Sequence, residues 1–245
     1  MADVATTAPP ITALVTGATT GLGEAIALRL ARDGMQIIVV GRDAARGAAV
    51  VEQIETQGGQ ATFIAADLSD PAEIERLASE AGDIDVLVNN AGFSIWGPTE
   101  KTTAEDFDAM FASNVRAPYL LVGAFAPAMA AKGAGSIINI SSMAGRIGLP
   151  NGAAYGATKA ALASLAQSWT AEYSPRGVRV NAVAAGPIYT RPEARQLFDR
   201  LGETTALRRA AEPSEIAEVV AFLASTRASY VTGAIVAADG GRTAI

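Results

Sequence analysis

Tyr155 and Lys159 stand four residues apart in a stretch whose spacing predicts a helix over Ala154–Tyr173, so their side chains share a face. A phenol with a pKa near ~10 exchanges its proton reluctantly at neutral pH. An ammonium beside it favours the phenolate and lowers that value, which makes the two a candidate acid/base unit. The plainer alternative is a packing tyrosine next to an exposed lysine. Just upstream, Ser141-Ser142 closes the apolar run Ser136–Ile140. A serine hydroxyl at the carboxyl end of a strand can hold a substrate oxygen, or simply cap a turn. The chain has no histidine and no cysteine, which excludes imidazole bases, Ser-His-Asp triads, disulfides and thiolate metal sites. Proton chemistry must come from Tyr, Lys, Asp or Glu, and no metal is expected.

A second group of residues suits a phosphate ligand. Thr16-Gly17-Ala18-Thr19-Thr20-Gly21-Leu22-Gly23 lies between a short apolar run and a helical pattern. Glycines there allow a tight turn, and the helix N-terminus presents unpaired N–H groups. The next strand ends Val39-Val40-Gly41-Arg42-Asp43. An acid at that point would bond a ribose 2′-OH, whereas Gly41 followed by Arg42 accommodates a 2′-phosphate, so NADP(H) is expected over NAD(H). Asp43 could blunt that charge. Asn89-Asn90-Ala91-Gly92 closes a further strand, with small residues that permit close backbone approach to a ligand.

The elements that must position these groups alternate almost to the end of the chain. Strands are predicted at Ile11–Thr16, Ile37–Val40, Ala61–Ala65, Asp85–Val88, Ser136–Ile140, Val178–Ala184 and Ala234–Ala237. Helices are predicted at Glu24–Arg32, Ala44–Gln57, Pro71–Glu80, Ala104–Ser113, Val115–Ala131, Ala154–Tyr173 and Pro213–Leu223. Strands that are apolar throughout, alternating with helices, make an α/β fold: one doubly wound domain over residues 11–245, with a seven-stranded parallel sheet covered on both faces. Residues 1–10 read as a loose tail. Pro187–Thr205 has no clean period and is a candidate lid over the substrate.

The 245 residues carry a formal net charge of −6 with no run of Lys and Arg, so nucleic acid is not an expected partner. No apolar stretch is long enough to span a bilayer, and the first ten residues lack the pattern of a signal peptide. A cytoplasmic protein without a membrane partner is the expectation.

Taken together, Thr16–Gly23, Asn89–Gly92, Asn114, Ser142 and Tyr155-Gly156-Ala157-Thr158-Lys159 resemble the short-chain dehydrogenase/reductase family, in its order and spacing from Thr12 to Gly241. The pattern is similar to that of bacterial 3-oxoacyl-[acyl-carrier-protein] reductases. The resemblance implies a Rossmann-type fold and hydride transfer between a nicotinamide cofactor and a carbonyl or alcohol carbon. By the same resemblance Tyr155 is the acid/base, Lys159 holds the nicotinamide ribose and lowers the tyrosine pKa, Ser142 orients the substrate oxygen, and Asn114 anchors a water-mediated proton relay. Gly17, Thr19, Thr20, Gly21, Leu22 and Gly23 would face the phosphates. Asp67 and Leu68 match adenine contacts, Asn89 the adenosine-ribose region beside Ala91 and Gly92, and Pro187, Ile188 and Thr190 the nicotinamide side. Two positions depart from the family's pattern: Ala185 replaces a frequent proline, and Thr20 stands where NADP-preferring members often carry a base. The segment Ser229–Gly241 resembles the one through which members pack, which implies a homotetramer.

Candidate pocket residues are Phe93, Ser94 and Trp96 after the Asn-Ala-Gly turn, Met143 and Leu149 around the serine, and Tyr189, Phe198 and Leu201 in the unpatterned segment. The mix suits a small, apolar or mildly polar ketone, aldehyde or secondary alcohol. One rival is a reductase of acyl thioesters on an acidic carrier protein, for which Lys132, Arg146 and Arg176 are the basic residues expected on the docking face. Another is a non-catalytic, cofactor-binding regulatory protein, which would be expected to lose the tyrosine or lysine first.

Overall fold

The computed structural model describes residues 10–245, so the expected N-terminal tail lies outside the described residues except for Pro10. Seven strands follow: β1 (Thr12–Thr16), β2 (Gln36–Gly41), β3 (Gln60–Ala65), β4 (Val86–Asn89), β5 (Gly135–Ser142), β6 (Val178–Ala185) and β7 (Ile235–Ala238). All neighbouring pairs are parallel, in the order β3-β2-β1-β4-β5-β6-β7. The order reverses between β1 and β4, and in open α/β sheets ligands bind at the carboxyl ends of the strands beside such a point.

Eight α-helices are described: α1 (Gly21–Arg32), α2 (Ala44–Thr56), α3 (Pro71–Ala81), α4 (Ala104–Phe111), α5 (Ala117–Lys132), α6 (Ala153–Tyr173), α7 (Arg195–Gly202) and α8 (Pro213–Ala224). Successive strand residues point to opposite faces, so each strand feeds two cores. Val86 and Val88 pack with Leu22, Ile26 and Leu30 of α1 and Ile216 and Val220 of α8. Leu87 joins the opposite layer with Leu77 of α3, Leu121 and Phe125 of α5, and Leu162 and Trp169 of α6. Local chemistry sets the helix starts: Asp43, Asp70 and Thr103 cap α2, α3 and α4 by accepting a first-turn N–H.

Two stretches differ from the sequence pattern. The predicted break near Asn114 is instead a single π turn, Ala112–Arg116, that joins α4 to α5 without interruption. The unpatterned Pro187–Thr205 contains a 3-10 turn, Pro192–Ala194, and the two-turn helix α7. Its few apolar residues are too short a series to show a period. Tertiary contacts hold it: Tyr189 meets Phe198 edge-on at 6.3 Å, and its hydroxyl donates to Asp199 at 2.6 Å.

Candidate active site

The carboxyl ends of β1 and β4 are tied together by Thr16. Its hydroxyl donates to the Val88 carbonyl at 3.2 Å and accepts the N–H groups of Asn90 and Ala91, each at 3.0 Å. The Asn90 amide in turn donates to the carbonyls of Thr16 and Gly17 at 2.8 and 3.2 Å. This clamp folds the glycine-rich turn tightly. Gly17 and Gly21 have φ of 62° and 60°, and a Cβ on Gly23 would overlap the Gly17 carbonyl oxygen. The cradle left at the start of α1 fits a phosphate-bearing dinucleotide, with Thr19 partly exposed and Thr20 exposed beside it. Thr190 closes the other side: a Cβ on Gly21 would lie 3.1 Å from the Thr190 carbonyl oxygen.

Several of the residues expected around the cofactor turn their side chains elsewhere. Leu22 and Ile188 belong to the α1/α8 core and Leu68 to the opposite one, so only their main-chain atoms are available to a ligand. Asn89 is the clearest correction. It is 2% exposed and donates to Asn139 Oδ1 at 2.9 Å beneath the sheet, because period-two alternation aims it at the α5/α6 face. The amide at the cleft is that of Asn90. Pro187 is buried, and its carbonyl accepts from Ala211 N at 2.9 Å.

At the end of β2, Gly41 lies against Thr19, where a Cβ would come 2.6 Å from the threonine methyl. Arg42 is exposed. Asp43 does not oppose it: its carboxylate caps α2 through Arg46 N at 3.0 Å and pairs with the Arg46 guanidinium at 2.9 Å. The acid that feels Arg42 is Asp67. Its carboxyl is held below the usual range chiefly by the Ser69 N–H and hydroxyl, with a further contribution from the Arg42 charge.

The side chains expected to handle the proton converge at the end of β5, the π turn and the first two turns of α6. Lys159 is 5% exposed, and its ammonium donates to the Ile140 carbonyl at 2.8 Å. Burial lowers its pKa from 10.5 to about 8. The Lys159 carbonyl accepts from Ser141 at 2.8 Å, so the serine next to the expected one anchors the helix. Ser142 accepts from Ala144 N at 3.2 Å, capping the short turn Met143–Gly145, with its hydroxyl directed at the Ala185 carbonyl, 3.5 Å away. Asn114 is fully buried at the π turn. Its Nδ2 donates to the Phe93 carbonyl at 2.9 Å and Thr158 Oγ1 at 3.1 Å, while its Oδ1 accepts from Phe93 N at 3.0 Å. Gly92 passes between these groups, since a Cβ there would lie 2.7 Å from Asn114 Oδ1 and 3.6 Å from Lys159 Nζ.

Tyr155 departs from the sequence expectation in one respect. Burial pushes its pKa up, only partly opposed by the neighbouring Ser142 hydroxyl, so the phenol keeps its proton at neutral pH. The Lys159 ammonium lies 5.8 Å from the ring centroid and points its hydrogen bond at Ile140, so desolvation outweighs it. Around the tyrosine, Trp96 comes within 5.7 Å between ring centroids, Phe93 and Ser94 are exposed, Met143 is buried and Leu149 is partly so. Tyr189 and Phe198 form a separate group with α7, where Leu201 is exposed.

Thr16, Asn90, Ser141, Thr158 and Asn139 all shape this site; the first four lay inside the quoted motifs without a role of their own, and Asn139 lay outside them. The signal that could have found Asn139 is a polar residue inside an otherwise apolar strand.

Of the three basic residues expected on a docking face, two lie at the other end of the sheet. Lys132 closes α5 and pairs with Asp85, just before β4, at 2.5 Å. Arg176 precedes β6 and lies over the Tyr173 ring at 5.2 Å. In a parallel sheet those are the amino ends, so only exposed Arg146 shares the site's face.

A doubly wound sheet with a phosphate cradle at its switch point and a Tyr/Lys/Ser/Asn cluster beside it defines a dinucleotide-dependent oxidoreductase. Residues 17–243 match the family described as Enoyl-(Acyl carrier protein) reductase. A solved short chain dehydrogenase/reductase family protein is 46% identical, with a TM-score of 0.91 over 96% of this chain and 98% of that one. A 3-oxoacyl-[acyl-carrier-protein] reductase of Staphylococcus epidermidis is 35% identical, covering 94% of this chain and 97% of that protein. A blue fluorescent protein from a metagenomic library, solved with NADPH, is 36% identical with a TM-score of 0.88, over 95% of this chain and 97% of that one. The chain belongs to the short-chain dehydrogenase/reductase family, oxidoreductases that act on CH–OH and C=O groups with a nicotinamide cofactor. Among the described residues, no helix is long and apolar enough to cross a membrane.

Proposed function

We propose that this chain interconverts a ketone or aldehyde and the corresponding alcohol on a small organic substrate, with NADP(H) preferred and Tyr155 as the acid/base. The observation that carries this reading is the convergence of Tyr155, Ser142, Lys159 and Asn114 beside the cradle after β1. Gly17, Thr19, Thr20, Gly21, Leu22 and Gly23 would hold the cofactor phosphates, Arg42 a 2′-phosphate, Asp67 and Leu68 the adenine, Ala91 and Gly92 the adjoining ribose, and Pro187, Ile188 and Thr190 the carboxamide. When bound there, the nicotinamide supplies or accepts the hydride.

The chain's own residues handle the proton. A protonated phenol suits the reducing direction: Tyr155 passes its proton to the carbonyl oxygen as that oxygen gains charge, and the Ser142 hydroxyl donates a hydrogen bond to the same oxygen. The positive charge of Lys159 stabilises the phenolate left behind. Because the Asn114 side chain is spent on Phe93 and Thr158, a relay water would bind a main-chain carbonyl freed by the π turn and return a proton through Lys159. Residues 187–205, with α7 docked on Tyr189, would act as the lid. The reading includes a cytoplasmic location and a homotetramer, the latter supported by edge strand β7 and a fully exposed Tyr230 and checked by light scattering.

The similarity to a 3-oxoacyl-[acyl-carrier-protein] reductase favours a second reading, in which the substrate is an acyl thioester. The placement of Lys132 and Arg176 at the far end of the sheet ranks it below a stand-alone carbonyl reductase. Oxidation of NADPH and NADH against ketones, diketones and acyl thioesters, with Tyr155→Phe as control, tests both. Activity that prefers NADPH and disappears in the variant is expected. Tight NADPH binding with no turnover of any carbonyl would instead favour a regulatory, non-catalytic protein.

A further inference from the structure

The approach to Tyr155 has one large aromatic wall, and the chain builds a seat for it. Leu149–Gly152 is a tight turn closed by the Gly152 N–H on the Leu149 carbonyl at 3.1 Å. Pro150 takes its second position and Asn151 its third, with φ of 64°. That is the pattern of a type II turn, in which proline sets the first central residue and asparagine tolerates the left-handed second. The Gly97 N–H bonds the Asn151 carbonyl at 2.9 Å and so clips the segment after the Asn-Ala-Gly turn onto it. Trp96 then rests against Gly152 so closely that a Cβ there would lie 2.5 Å from Cζ3 and 3.0 Å from Cη2 of the indole. The same indole is 5.7 Å from the Tyr155 ring, its plane tilted by 46°. With both contacts made, Trp96 is still 49% exposed. A rigidly seated apolar ring left half open beside the proton donor is surface that a bound molecule would cover.

We propose that Trp96, seated by Pro150, Asn151 and Gly152, determines which substrates reach Tyr155, and that it selects carbonyl compounds carrying a flat ring. This rests on the carbonyl-reductase reading above and names its substrate class. A ring placed against the indole gains offset or edge-to-face contact beyond its buried area, worth about two- to tenfold in affinity. A linear chain of equal size offers no ring face and loses rotamer freedom when held there.

The test is steady-state kinetics of the full chain with NADPH on acetophenone and 2-octanone, which are equal in carbon number, for the wild type, W96F, W96A and G152A, each checked by thermal melting. The wild type should prefer acetophenone. W96A should lower kcat/KM for acetophenone about tenfold, mainly through KM, and that for 2-octanone by less, so that the preference for acetophenone shrinks several-fold. W96F should retain most of the preference, and G152A, whose Cβ displaces the indole, should follow W96A. An equal loss on both substrates would make Trp96 a support for Tyr155 and overturn the proposal, as would an unchanged preference. A second readout needs no turnover. The chain has two tryptophans, and the other, Trp169, is buried. Acetophenone added to the NADP⁺-saturated protein should quench emission saturably in the wild type, but not in W96F. No saturable quench in the wild type also overturns the proposal. Absence of turnover with every carbonyl, by contrast, counts against the oxidoreductase reading and leaves the quench to decide the role of Trp96.

Discussion

Replacing Lys159 with methionine should make the protein more stable while abolishing its chemistry. The ammonium is buried with the Ile140 carbonyl as its hydrogen-bond partner, and its pKa falls from 10.5 to about 8. Such a shift corresponds to about 3 kcal/mol of destabilisation at neutral pH, where both folded and unfolded chains carry the proton. Methionine, one atom shorter, fills most of the same space without the charge, and leaves one carbonyl short of a partner at a cost of ~1 kcal/mol. The net gain for Lys159→Met at pH 7 is therefore about 2 kcal/mol. The sign of the pH dependence follows. Between the folded and unfolded values the unfolded chain binds more protons, so wild-type stability rises with pH through that window. Linkage with those two values gives a rise of about 2 kcal/mol from pH 7 to 9.5. Beyond about pH 10 the raised pKa of Tyr155 works the other way, because the unfolded phenol ionises first. Urea unfolding at fixed protein concentration, at both pH values and for both proteins, measures all of this. A wild type whose stability is flat across the window, with a variant no more stable, would refute the claim that the ammonium is desolvated.

Three further outcomes are expected. Tyr155→Phe should lose at least ~100-fold in turnover while binding NADPH normally, as followed by the fluorescence of the bound cofactor. Arg42→Glu should raise KM for NADPH at least about tenfold and leave NADH within about twofold, because the Asp43 carboxylate is already engaged by Arg46 and does not oppose Arg42; equal effects on both cofactors would remove Arg42 as the phosphate ligand. Gly23→Ala sets a Cβ against the Gly17 carbonyl and the Asn90 amide, so it should cost about 1–3 kcal/mol in a denaturant melt and weaken NADPH binding.

Much of this molecule is written locally. Apolar runs alternating with helical spacing set the seven strands and the order of the layers, because burial of a parallel sheet on both faces needs that pattern and little else. Helical spacing alone put Tyr155 and Lys159 on one side of α6, and turn chemistry placed the glycine-rich segment before α1. What the sequence could not determine are contacts made across long stretches of chain. Thr16 bonds residues some seventy positions away, and Asn114 is aimed at Phe93 and Thr158 by a π turn that has no periodic signature. Strand alternation, once the layers are packed, sends Asn89 beneath the sheet and leaves Asn90 at the cleft. The parallel arrangement carries Lys132 and Arg176 to the end opposite the site. Spacing also brought a lysine near a tyrosine, but only packing decided that burial governs both pKa values, since desolvation depends on everything surrounding a group and not on its neighbours in the chain.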